Sequence, residues 1–191
     1  DLTITKSDSD YHTIVNLAGV LRATNVKIQE AATNTGSGGY HVYNGGEAYL
    51  NYVEISQELN QYSGSRGFYN SGYVEINYAY IHHNYKVLRL YGGIAKISNS
   101  LIVDNHEDRG HGELISLAPD AEALTIDHTT FSNNDSAGIF QFYSTPAILR
   151  ARNSIFDATW GQYYNVCENG GKIVNIGTNL YSDASCGSID L

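Results

Sequence analysis

One eight-place pattern of apolar and polar positions returns along nearly the whole chain. At residues 95–102 it reads AKISNSLI, with positions one, three and eight apolar and position two charged. It reads LRATNVKI at 21–28, AYLNYVEI at 48–55 and VEINYAYI at 74–81. Further on it reads LTIDHTTF at 124–131, LRARNSIF at 149–156 and VNIGTNLY at 174–181. The copies begin at 21, 48, 74, 95, 124, 149 and 174, so their spacings are 27, 26, 21, 29, 25 and 25. Self-similarity at such a period is the mark of a solenoid, in which each repeat buries its apolar face only against its neighbours.

Positions one and three are Leu21/Ala23, Ala48/Leu50, Val74/Ile76, Ala95/Ile97, Leu124/Ile126, Leu149/Ala151 and Val174/Ile176. Between them stand Arg22, Tyr49, Glu75, Lys96, Thr125, Arg150 and Asn175. This period-two alternation predicts a short strand with one face inward and one outward. Position eight, from Ile28 to Tyr181, is inward in every copy, which predicts a second strand. Position five (Asn25, Tyr52, Tyr78, Asn99, His128, Asn153, Thr178) lies between the two, where a sharp bend fits. A third apolar segment precedes each frame, at 13–17, 40–43, 67–70, 87–91, 113–117, 138–143 and 164–167. Three short strands per coil of 21–29 residues describe an all-β, single-stranded parallel β-helix of about seven coils, formed as one domain over residues 1–191. Residues 1–12 are expected to form an incomplete coil or cap, and 164–191 the C-terminal coil.

Composition agrees with many short strands joined by turns: 19 Gly and 16 Tyr, against 2 Pro and no Met. The formal net charge of −9 argues against nucleic acid, whose phosphates need clustered Lys and Arg. No apolar run is long enough for a membrane helix. A chain opening on Asp1 without Met is what a mature secreted protein, or a piece of a longer one, would look like.

The repeated frames resemble the right-handed parallel β-helix proteins of the pectate-lyase-like superfold across essentially the whole chain. The ending GTNLYSDASCG, residues 177–187, resembles the C-terminal coils of bacterial secreted β-helix proteins of the CSLREA type. The resemblance implies a right-handed coil and a secreted, extracellular or cell-surface setting in a bacterium. It also raises the expectation of a carbohydrate-active enzyme. Fold alone does not fix function.

The two cysteines, Cys167 and Cys186, both lie in the last coil. In an oxidising compartment they would form a disulfide; in a reducing one they would remain thiols. Stacking the frames lines up Glu75, Lys96, Thr125 and Arg150 in one outward column, with Asn77, Ser98, Asp127 and Arg152 beside it. A lyase-like enzyme for acidic polysaccharides would take Lys96, Arg150 or Arg152 as base and Asp127 as partner. The competing reading pairs the charges up the ladder, Glu75 with Lys96 and Asp127 with Arg152. Calcium would need a carboxylate cluster, and only Asp127 stands on these columns, so no cofactor is expected. His106, Asp108 and His111 in the polar loop 104–113 are a weaker metal-type set at a spacing that matches no known motif.

Tyr43, Tyr69, Tyr91 and Tyr143 recur near the end of the third strand, and Tyr52 and Tyr78 share position five. Such rings either brace the coil or offer a sugar platform. A glycan surface would draw on Tyr49, Tyr52, Glu75, Tyr78, Lys96, Asp127, Arg150 and Arg152. The sequence thus points to a structural or adhesive module touching a polysaccharide or cell-surface glycan. A lyase-like enzyme is the alternative, and end-to-end self-association is a further expectation for an open coil edge.

Overall fold

Inward side chains at a fixed period can be buried only if successive copies lie directly over one another. The computed structural model describes residues 2–6, 12–30, 39–57, 66–106, 113–143, 148–158, 165–168 and 172–190. Among them every element is a strand, and the strands stack in parallel, in register, on three faces of a solenoid.

The first face holds the strands that precede each frame. Val42 pairs with Phe68, then Leu88, Ile115, Phe140 and Cys167 follow in line. The second face holds frame positions one to four, in the line Leu21, Ala48, Val74, Ala95, Leu124, Leu149 and Ile173. The third face carries position eight, in the line Ile4, Ile28, Ile55, Ile81, Ile102, Phe131, Phe156 and Tyr181. Residues 2–6 therefore stack on the third face as one strand of an incomplete coil. Inward residues of these lines form one continuous core, each fully buried Leu, Ile or Phe contributing about 1.5–3 kcal/mol. Toward the C-terminal end the core becomes aromatic: Phe131, Phe156 and Tyr181 stack at 5.4 and 5.2 Å, with Phe140 edge-on to the first two.

Two expectations are corrected. The coils are not seven equals. The five framed at 48, 74, 95, 124 and 149 are closed by neighbours on both sides, and their inward residues are buried. In the outer two, Leu21, Ala23 and Tyr181 are only partly buried, because each lacks a neighbour on one side. The last frame also starts one residue earlier than its sequence suggests. Leu149 pairs with Ile173 and Ala151 with Asn175, so the inward residues are Ile173 and Asn175, while Ile176 is 38% exposed. The bend there falls at Gly177 (φ +89°) and contains one residue more than in the other copies.

Each corner has its own device. Between the second and third faces, position five is left-handed in six copies: Asn25, Tyr52, Tyr78, Asn99, His128 and Asn153 have φ of 47–56°. Asn adopts this conformation at little cost, and Tyr is an unusual occupant. Position six turns inward behind it. It is apolar at Val26, Val53 and Ala79, then becomes Ser100, Thr129 and Ser154, all buried. The Ser100 hydroxyl accepts from the Ala79 amide at 3.0 Å, and that of Ser154 from the Thr129 amide at 3.1 Å.

Between the third and first faces a buried ladder runs through Asn84, Asn105 and Asn134. Asn84 Nδ2 donates to Asn105 Oδ1 at 3.1 Å, and Asn105 Nδ2 to Asn134 Oδ1 at 2.9 Å. Each also donates to the backbone carbonyl of a neighbouring coil, at Ile55, Ile81 and Ile102. A second ladder, Asn16 to Asn44 to Asn70 with both links at 2.7 Å, lines the corner between the first and second faces. Buried amides are tolerated here because every ladder nitrogen donates; only the Asn84 oxygen, at the end of its ladder, has no donor among the described residues. At the same corner Gly46, Gly72 and Gly93 stack so closely that a Cβ on Gly72 would collide with the Gly46 carbonyl.

Candidate functional site

Position five is where the solenoid offers side chains to solvent without core constraints. The left-handed backbone turns each residue outward at the corner, and in-register stacking aligns them at about 4.8 Å intervals. Tyr52 and Tyr78 occupy adjacent places, 53% and 47% exposed. Their rings stack at 4.8 Å with an interplanar angle of 4°. Asn99 follows, its side chain folded back to donate to Asn77 Oδ1 at 2.9 Å. His128 comes next. Its Nδ1 lies 2.7 Å from Asp127 Oδ1, and its Nε2 is 3.2 Å from Asn153 Nδ2.

A shallow groove of about 600 Å³ runs along this corner. Tyr52, Tyr78, Asn99 and His128 form one side. Glu54, Tyr80, Leu101 and Thr130, from position seven of successive coils, form the other. Tyr80 stacks on His82 at 4.1 Å, and Glu54 is bound by Lys27 at 2.8 Å. Among the described residues, no Lys or Arg lines the groove.

The charged columns are in register as expected: Glu75 with Lys96, Lys96 with Thr125, Thr125 with Arg150, and Asp127 between Ser98 and Arg152. Asp127 and Arg152 form an ion pair through two hydrogen bonds. The Arg152 guanidinium holds the Asp127 carboxyl below its usual range. Lys96 does not close onto Glu75. Tyr73 stands between them, donating to Glu75 Oε2 at 2.6 Å while the ammonium sits 5.3 Å from its ring centroid. The hydrogen bond to Tyr73 raises the Lys96 pKa, which keeps the ammonium charged and works against a role as base. Tyr49 bonds Glu47 at 3.0 Å under the Arg22 guanidinium. Lys96 and Arg150 share a column but are separated by the rung of Thr125, so the four proposed lyase residues do not converge on one point.

His106 pairs with Asp135 at 2.8 Å, whereas Asp108 and His111 lie outside the described residues. No cluster of three His, Cys, Asp or Glu side chains suited to a metal occurs among the described residues. Cys167 and Cys186 are joined in a disulfide across a sequence separation of 19. Of the four recurrent tyrosines, Tyr43 and Tyr69 stack at 4.6 Å and 2°, and Tyr91 continues the stack at 5.6 Å. Arg89, rather than Tyr91, is in register with Tyr69. His12 caps the stack at 4.7 Å.

The sequence pattern missed one pair entirely. Glu113 is 1% exposed and neither of its carboxyl oxygens receives a hydrogen bond from an N–H or hydroxyl. Its carboxyl lies against that of Glu168, which Gln141 Nε2 holds at 3.0 Å. Burial, reinforced by the hydrogen bond to Glu168 and its negative charge, pushes the Glu113 pKa up to about 8. At neutral pH the burial and the neighbouring carboxyl therefore favour the protonated form of Glu113.

A family model for the right-handed β-helix region matches residues 14–184. The chain belongs to the right-handed β-helix family. The match covers the family as a whole and does not bear on the CSLREA-type likeness of the last coil. No curated protein and no solved structure matches the chain.

Proposed function

We propose that this β-helix is a non-catalytic module of an extracellular or cell-surface protein that holds a glycan along the corner carrying Tyr52 and Tyr78. The observation that carries this reading is the aligned, half-exposed pair of rings opening on a groove. The two parallel rings make an apolar wall, and such a wall beside hydroxyls and amides suits a sugar. Tyr80, Thr130 and Asn99 supply those polar groups, and the groove is nearly flat, as a chain-binding surface would be. Walls without Lys or Arg among the described residues favour a neutral glycan over a uronate chain. The disulfide agrees with an oxidising compartment.

The test is a glycan array followed by affinity electrophoresis of the wild type and the Tyr52→Ala, Tyr78→Ala double variant. Retention of the wild type, lost in the double variant with an unchanged circular dichroism spectrum, is expected. Equal retention of both proteins would move the site elsewhere, and no retention of the wild type by any glycan would end the reading.

A further inference from the structure

We propose that Asn99 leaves a slot, one ring wide, between Tyr78 and His128 that takes a single neutral pyranose unit of the bound chain. This rests on the glycan reading above and narrows it. In the position-five column, Tyr52 covers one face of Tyr78 by direct stacking. The opposite face looks toward Asn99, whose side chain is shorter than a ring and is tied back to Asn77. The next member, His128, is fixed by Asp127 and Asn153 and stands as the far wall. All of these residues except Asp127, Asn77 and Asn153 line the same groove.

The spacing decides what fits. Tyr78 and His128 are two rungs apart, about 9.5 Å at the usual strand separation. A flat ring at the Asn99 rung would block the gap but sit as far from each wall as Tyr52 sits from Tyr78, 4.8 Å, wider than ideal carbon contacts of about 3.5–4.0 Å. A puckered pyranose chair is thicker by its ring pucker and axial hydrogens, and it fills the gap. Its hydroxyls would then meet Asn99 at the floor and Tyr80 and Thr130 at the side. The nearby charges, Glu54 and Asp127, are already paired with Lys27 and Arg152, so the described residues leave the slot no free cation to balance a carboxylated sugar.

The discriminating variant is Asn99→Tyr, which completes the stack and fills the slot. Tyr52 and Tyr78 already adopt the left-handed conformation at the equivalent position, with φ of 53° and 52°, so the backbone accepts the change. Isothermal titration with cellohexaose, chitohexaose, mannohexaose and hexagalacturonate is the measurement. We expect at least one neutral hexasaccharide to bind the wild type, Asn99→Tyr to weaken it more than tenfold with no loss of thermal stability, and hexagalacturonate not to bind. Wild-type affinity in Asn99→Tyr would overturn the slot while leaving the Tyr52–Tyr78 surface standing. Failure of all four sugars with the wild type, after a blank glycan array, would overturn both. Should Asn99→Tyr fail to fold, the His128 imidazole resonances of the wild type give the answer: a shift on saturation with the bound hexasaccharide supports the slot, and unmoved resonances refute it.

Discussion

Replacing Glu113 by Gln should make the protein more stable in mild alkali and leave it unchanged in mild acid. The folded-state pKa of about 8 stands above the ordinary glutamate value of 4.5. Between those two values the folded chain holds a proton that the unfolded chain releases. The Glu113 contribution is therefore fully present below about pH 4.5 and is lost as pH rises through 8. Each tenfold difference in proton affinity between the folded and unfolded chains corresponds to about 1.4 kcal/mol, so the whole window spans at most about 4–5 kcal/mol. Relaxation of the buried site and entry of water when Glu113 ionises reduce what is observed, and about 2–4 kcal/mol is expected. Tyr143, which also feels the pair, titrates above this range and does not confuse it. In the variant, the Gln amide donates to Glu168 at every pH and nothing titrates at position 113. Urea denaturation followed by circular dichroism at pH 5, 6.5, 8 and 9 should show wild-type stability falling across the series and a much flatter line for Glu113→Gln, the two meeting near pH 5. Parallel lines would refute the argument, as would a wild type equally stable at pH 5 and 9.

Two further expectations concern the corners and the C-terminal end. Asn105→Ala removes the middle of a buried ladder, taking the acceptor from the Asn84 backbone N–H and the amide donor from the Ile81 carbonyl, so a loss of about 2–3 kcal/mol is expected in thermal or urea unfolding. A loss below about 0.5 kcal/mol would mean the ladder is not the structural element its hydrogen bonds suggest. Cys186→Ser opens a loop with a sequence separation of 19 and should cost about 3 kcal/mol by loop-closure entropy, with a matching effect of reductant on the wild type alone.

The rod was legible in the sequence because its cause is local and repeated. Ala95 and Ile97 alternate with Lys96 and Ser98, and the same alternation in other copies can only be satisfied by stacking. The last coil was misread for the same reason: Val174 and Ile176 alternate well, but the extra residue in the Gly177 bend shifts the true inward pair to Ile173 and Asn175. The buried Asn ladder left a trace, since Asn84, Asn105 and Asn134 each lie three residues after position eight, at Ile81, Ile102 and Phe131. That trace falls in a polar stretch where hydropathy gives no hint of burial. Glu113 and Glu168 left none, because nothing in the frame relates the two strands' outer ends. The slot at Asn99 was invisible in another way. An Asn among tyrosines reads as an ordinary bend residue until the neighbouring coils show that it is a gap.

The left-handed bend at position five also bears on how such a rod can change. Its side chains are set out at a fixed pitch, yet each rests on a backbone conformation supplied by the residue's own corner and not by packing beneath it. Asn, Tyr and His all occupy the position in this one chain. Replacements there rewrite what the surface touches while the core residues on either side stay as they are. The corner behaves as a row of interchangeable teeth on a stiff bar, which evolution or an engineer can cut one at a time.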